Sequence, residues 1–293
     1  MGLILTAAES RYRGYNNTPM RQFVAENRLN SALRQVYTHW PTYLFGYGGG
    51  ALLALLIVLI SVQQQWWGFI PLMLAFLLVL IYLFGVSLWM VYQHNEQDDT
   101  VLLFTWAQIS PTDSLAHIDL GRRQIPLRLL RFLTTGKLSV IDVYNPQLTP
   151  STALVRARNQ AAHMTQADPR LVWLEGSVNL LPLPDKSMPV VTMAYTLPEF
   201  WQRGDREQLL AEVFRVLKPG GRLILLERVR QPQNMLLMGP LVWNCPAAAY
   251  WQTLLTQAGF TIRKQESHHA GLVHAFRADK PVQYQSRQLD LGF

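Results

Sequence analysis

The stretch HIDLGRRQIPLRLL, residues 117 to 130, holds the first residues whose types and spacing suggest chemistry. An apolar run ends in Asp119 and Gly121 follows, as in the first strand and loop of a nucleotide-binding unit. Where further glycines would come stand Arg123 and Ile125. Glycines in such a loop let the backbone approach a ligand closely, because no side chain intervenes. A bulky side chain at Arg123 must either fill the pocket or swing out. Arg122 and Arg123 sit near the start of the helix that should follow. Two guanidinium groups there make an anion site, unless both are simply solvated. Tyr195 ends a later apolar run and could face a ligand or the core. His268, His269 and His274 lie near the C-terminus, but neighbouring residues on a strand face opposite ways, so no metal site is expected. Cys245 has no His/Asp arrangement around it and reads as a small buried residue.

Several classes fall away on composition. The formal charge is +7, which favours an anionic surface such as lipid headgroups. No Lys/Arg block marks a nucleic-acid arm, and no nucleic-acid partner is expected. A single cysteine excludes an internal disulfide and any Cys-based zinc site.

The hydrophobic excess is concentrated between Tyr43 and Tyr92. Residues 43–62 and 68–92 carry no charge, and each run is long enough to cross a hydrocarbon core of about 30 Å. The linker QQQWW makes the two spans a hairpin. Trp66 and Trp67 suit one headgroup belt, and Trp40, Trp89 and Tyr92 suit the other. Arg11, Arg13, Arg21, Arg28 and Arg34 precede the hairpin and its turn has no Lys or Arg, so both termini are expected in the cytoplasm. Before the hairpin, Leu29, Leu33, Val36 and Trp40 recur at helical spacing, a stripe for the membrane surface or for packing on the main domain. No N-terminal signal peptide is visible.

From Leu115 strands and helices alternate. Strands are expected at LAHID, LSVID, LVWLE, VVTMAY and RLILLERV. Helices are expected at PLRLLRFL, at TPSTALVRARNQAAHM with Thr149 as cap, at DREQLLAEVFRVL, and at AAAYWQTLLTQAGF. TIRKQES and GLVHAFRA follow without a helix between them and read as an antiparallel pair. The fold class is α/β: a Rossmann-like doubly wound sheet with a C-terminal antiparallel hairpin, preceded by two transmembrane helices. The organisation is a cytoplasmic segment at 1–40, a membrane hairpin at 41–93, a linker at 94–112, the α/β domain at 113–280 and a tail at 281–293. Ligands of such sheets bind beyond the carboxyl ends of the strands.

Three segments carry a family resemblance. LLAEVFRVLKPGGRLILLE (209–227) is similar to the helix, KPGG turn and fifth strand of class I S-adenosylmethionine-dependent methyltransferases. LEGSVNLLPLPDKSMPVV (174–191) and VIDVYNPQL (140–148) resemble two further family segments, and the closest subgroup contains the ubiquinone and menaquinone biosynthesis methyltransferases. The resemblance implies S-adenosylmethionine as cofactor. It puts Asp119, Gly121 and Arg123 in the loop beside the cofactor and Asp142 on the ribose hydroxyls. It further implies Ser177 near the adenine amino group, Val178 on the adenine face and Tyr195 at the cofactor or acceptor. Ser177 stands where the family has Asp, Pro189 where it has another Asp, and two of the three loop glycines are replaced.

Two functions follow from this pattern. One is methylation of a small, apolar, membrane-associated acceptor such as a quinone precursor or lipid. The other is a degenerate methyltransferase fold serving as a binding or assembly module in a membrane complex, with a protein partner.

Overall fold

The computed structural model describes residues 36–38, 40–93, 96–162, 168–232, 245–268 and 273–282, and the single positions 33, 234, 235 and 271. Most of the N-terminal arginine-rich segment, His269, residues 236–244 and most of the C-terminal tail lie outside the described residues. The chain divides into two compact units, Met1–Asn95 and Glu96–Phe293.

In the first unit a turn at Trp40–Tyr43 and a π-helical turn at Leu44–Gly48 lead into helix α1 (Gly49–Gln63), which is followed by α2 (Phe69–Gln93). Leu44–Gln63 and Phe69–Trp89 are each long and apolar enough to cross a membrane. Small residues are among those that this unit buries. Ala54, Ser61 and Ser87 are buried, and Gly50 lies against Leu80. Small residues let two backbones approach, which is how helices associate where no hydrophobic force separates them from their surroundings. The large side chains point outward: Leu78, Ile81 and Tyr82 are each more than 60% exposed. A core helix of a water-soluble fold would bury them.

The second unit opens with helix α3 (Glu96–Ala107), which falls in the span read from the sequence as a linker. It buries Leu103, Trp106 and Ala107 and packs on β4 and β5. Arg222 donates to the carbonyls of Ala107 and Gln108, which supplies partners for a helix C-terminus. Next come β1 (Leu115–Asp119), α4 (Gln124–Leu129) with a 3-10 turn to Phe132, β2 (Leu138–Asp142), α5 (Thr152–Ala161) and β3 (Leu171–Glu175). Then follow β4 (Met188–Ala194), a 3-10 turn at Leu197–Glu199, α6 (Arg203–Val216), β5 (Leu217–Glu227), α7 (Ala248–Gln257), β6 (Thr261–His268) and β7 (Val273–Asp279). The sheet order is β3-β2-β1-β4-β5-β7-β6. The first five strands pair in parallel, and β7 runs antiparallel between β5 and β6. The strand order reverses between β1 and β4, which is where such sheets bind ligands.

Two local features differ from the sequence reading. Ser151, not Thr149, caps α5: its hydroxyl accepts from Leu154 N, while the Thr149 hydroxyl donates to Asn145 O. The KPGG turn is a bulge within β5, where the pairing with β4 shifts between Met188 and Val190 and Gly220 takes φ +75°. Between β3 and β4, where no helix was expected, the chain runs through a helix-free loop.

Gly136, just before β2, marks a close backbone approach. A Cβ there would lie 2.1 Å from the Asp113 carbonyl oxygen. Gly136→Ala is expected to destabilise the unit by about 1–3 kcal/mol, the usual range for forcing volume into a packed site. Thermal unfolding would read this as a midpoint lowered by several degrees; an unchanged midpoint would show that the 111–113 loop yields freely.

Candidate functional site

Strand register sets the site. Asp119, Asp142 and Glu175 are direct neighbours across β1, β2 and β3, so a row of carboxylates crosses the carboxyl ends of three strands. Asp119 is buried, and its Oδ2 accepts from Arg123 N at 2.9 Å. That bond closes the loop over Gly121 (φ +74°) and holds Arg123 at φ +60°, a left-handed conformation that costs a side-chain-bearing residue about 1 kcal/mol or more. The loop therefore keeps a glycine-like backbone at a position where the glycine is gone. The Arg123 side chain swings away, donating to Ala162 O at 3.2 Å and lying over Trp173 at 5.4 Å.

Arg122 pairs with Glu199, beyond the end of β4. Both guanidinium groups of the expected anion site are thus engaged by the protein itself, and α4 is too short a helix to offer a strong dipole.

Asp142 has an occupant that sequence reasoning missed. Arg158, on α5, donates from Nη1 to Asp142 Oδ1 at 3.0 Å, to Oδ2 at 2.9 Å and to Leu120 O at 2.6 Å. Its guanidinium lies 3.9 Å from the centre of the Tyr144 ring. A Cβ on Gly121 would fall 2.1 Å from Arg158 Nη1 and 3.0 Å from Asp142 Oδ2, so the space left by the missing side chain is where the guanidinium sits. Tyr144 N also donates to Asp142 Oδ1, which fixes the carboxylate's orientation.

The other expected residues have partners of their own, although Gly176 N, next to Ser177, donates to Asp142 O at 3.0 Å. The Ser177 hydroxyl accepts from Leu180 N at 3.1 Å and closes its own turn. Val178 is buried in the core cluster with Leu181. Tyr195 takes φ +56° directly after β4, and its hydroxyl donates to the buried Asp99 of α3 at 2.7 Å, with the Arg228 guanidinium over its ring. Beside it, Glu227 at the end of β5 is fully buried and receives Thr196 N and Leu197 N on one oxygen. Burial pushes its carboxyl up to about 8, against the two N–H groups and the Arg122 charge, which pull it down. Cys245 is buried, as its surroundings in the sequence suggested. Among the described residues, no group of three or more His, Cys, Asp or Glu side chains is placed to hold a metal ion.

The nucleoside that the resemblance implies fits this arrangement on one condition. Asp142 offers two acceptor oxygens for vicinal hydroxyls, Gly121 leaves room beside them, and the Arg123 side chain does not obstruct the space. The condition is that Arg158 leaves, since its Nη1 now holds both oxygens.

Comparison with known proteins agrees with the resemblance. Residues 132–225 match the family model described as a methyltransferase domain. Ubiquinone/menaquinone biosynthesis C-methyltransferase UbiE of Ruegeria sp. (strain TM1040) is 29% identical over 132 residues, covering 45% of this chain and 49% of that protein. Demethylmenaquinone methyltransferase of Thermus thermophilus is 31% identical over 126 residues, covering 40% and 54%. A solved SAM-dependent methyltransferase from Aquifex aeolicus is 18% identical with a TM-score of 0.48, covering 62% of this chain and 89% of that one. The chain spans about half the length of the curated relatives it matches.

Proposed function

We propose that this chain, whose residues 132–225 match a methyltransferase domain, is a class I S-adenosylmethionine-dependent methyltransferase that methylates a small apolar acceptor met at a membrane, a reduced quinone ring or a lipid. The observation that supports cofactor use is the shared space between Gly121 and the Asp142 carboxylate, at the strand ends where doubly wound sheets bind ligands. Bound there, S-adenosylmethionine would supply an electrophilic methyl group on a sulfonium. The chain's own part is to seat and orient it. Asp142 accepts from the ribose hydroxyls in charge-assisted bonds, Gly121 lets the backbone come close, and Asp119 holds the loop through Arg123 N. Much of the acceleration of such a transfer can come from orientation alone.

The acceptor class rests on two supports. The relatives include a demethylmenaquinone methyltransferase, and the hairpin would place the domain beside membrane-dissolved substrates, raising their effective concentration. The arginines before the hairpin and the uncharged QQQWW turn favour both termini and the methyltransferase domain on the cytoplasmic side. The competing reading, a binding module that no longer transfers methyl groups, is favoured by one observation: Arg158 already satisfies the oxygens the ribose would need.

Titration calorimetry of the detergent-solubilised chain with S-adenosylmethionine separates the two. Binding, together with methyl transfer to a reduced demethylmenaquinone in liposomes, is the expected result. No heat and no thermal stabilisation at millimolar cofactor would leave only the binding module.

A further inference from the structure

We propose that Arg158 sets the affinity for the cofactor, as an internal competitor that occupies the ribose seat and must be displaced when the nucleoside enters. The inference rests on the cofactor reading above and goes beyond it by naming the residue that controls the same site.

Four observations converge on one guanidinium. Its Nη1 lies within hydrogen-bond distance of both Asp142 oxygens and of Leu120 O. Its Cζ lies over the Tyr144 ring, 3.9 Å from the ring centre, a face that a flat heterocycle could also contact. It fills the volume that Gly121 leaves open, where any side chain would collide with it. It is not locked in: the Arg158 side chain is 27% exposed and the Asp142 side chain 26%. An exposed helical arginine gains little from a surface pair, because water screens the charge and ordering the long side chain costs entropy. Here the planar group finds a carboxylate, a carbonyl and a ring together, so the seated conformer is favoured. The partial exposure leaves a path to solvent.

The consequence is a population effect. The nucleoside binds only the fraction of molecules with Arg158 out, so its apparent dissociation constant is the intrinsic one divided by that fraction. An ion pair, a carbonyl bond and a ring contact of this exposure hold about nine-tenths of the chains closed, a roughly tenfold weakening. Because the closed state depends on a charge pair that is part exposed, added salt should open it.

The test uses S-adenosylhomocysteine, which carries no net charge and so responds little to salt by itself. Binding to the full chain in detergent micelles is measured at 50 and 500 mM NaCl for wild type, Arg158→Gln and Arg158→Lys. The expected result is about tenfold tighter binding by Arg158→Gln at low salt. Wild-type affinity should rise with salt while that of Arg158→Gln stays level, and Arg158→Lys, charged but unable to stack, should fall between. A guanidinium ¹⁵N resonance of Arg158 protected in the free chain and exposed on adding the ligand would support the same picture. Equal or weaker binding by Arg158→Gln overturns the competitor and leaves the cofactor reading intact. Binding by Arg158→Gln alone supports it in the extreme form. Failure of all three folded chains to bind overturns the cofactor reading, and the competitor with it. Thermal unfolding of each variant establishes that it is folded.

Discussion

Glu227→Gln is expected to make the protein markedly more stable at alkaline pH and to leave it nearly unchanged in acid. Glu227 is fully buried at the end of β5, and burial raises its carboxyl from about 4.5 to about 8. Between those values the folded chain holds a proton that the unfolded chain has released. Stability therefore falls as pH rises through this window, and the group's full contribution is present only below the unfolded value. At roughly 1.4 kcal/mol per unit, the deficit is of order 5 kcal/mol above pH 8. Glutamine keeps an oxygen for Thr196 N and Leu197 N and has no proton to lose. His117 supplies the opposite slope. It is buried in β1 against Thr192, and burial lowers it to about 4 despite the nearby Asp119 charge. The unfolded chain takes up a proton there that the folded chain refuses, so stability falls as pH drops from about 6.5 to 4. The two terms oppose each other between pH 4.5 and 6.5, and only the Glu227 term acts from there to pH 8. Urea unfolding of both chains at pH 5 and 8.5 checks this. Curves for wild type and Glu227→Gln that stay parallel between the two pH values would show that Glu227 is charged in the fold.

The fold was legible where side-chain period and breakers agree. The five parallel strands, the helix ending near KPGG and the C-terminal pair all follow from apolar runs bounded by Gly, Pro or polar turns. Helix α3 was not legible as part of the domain. Its buried face is Leu103, Trp106 and Ala107 with the polar Asp99 and Thr100, so no clean apolar stripe sets it off from a linker. The site was legible only where a strand ended. Asp119 and Asp142 could be found because apolar runs stop at them, and register then makes them neighbours. Arg158 lies 16 residues beyond Asp142, and nothing in linear sequence brings a helix arginine to a strand-end carboxylate. Glu199 and Asp99 likewise meet Arg122 and Tyr195 only through tertiary packing. The size of Arg123 left two courses open in the sequence, filling the pocket or swinging out. The structure keeps the left-handed backbone and sends the side chain to Ala162 O and Trp173.

Asp142→Ala is expected to weaken S-adenosylhomocysteine binding, but by an amount that depends on residue 158. Removing the carboxylate deletes two charge-assisted bonds to the ribose, each worth about 1.5–3 kcal/mol, so the loss taken alone is at least about a hundredfold. In the wild-type background the same substitution also releases Arg158, whose Nη1 loses both carboxylate oxygens and keeps only Leu120 O and the Tyr144 ring. That release returns most of the roughly tenfold closed-state penalty. In Arg158→Gln there is no penalty to return. The cost of Asp142→Ala should therefore be about tenfold larger in Arg158→Gln than in wild type, a coupling of about 1.4 kcal/mol between two side chains in direct contact. Calorimetry on the four chains of this cycle measures it. Additive costs would mean that Arg158 and the nucleoside do not compete for Asp142. A cost larger in wild type than in Arg158→Gln would mean that Arg158 assists the ligand instead of excluding it.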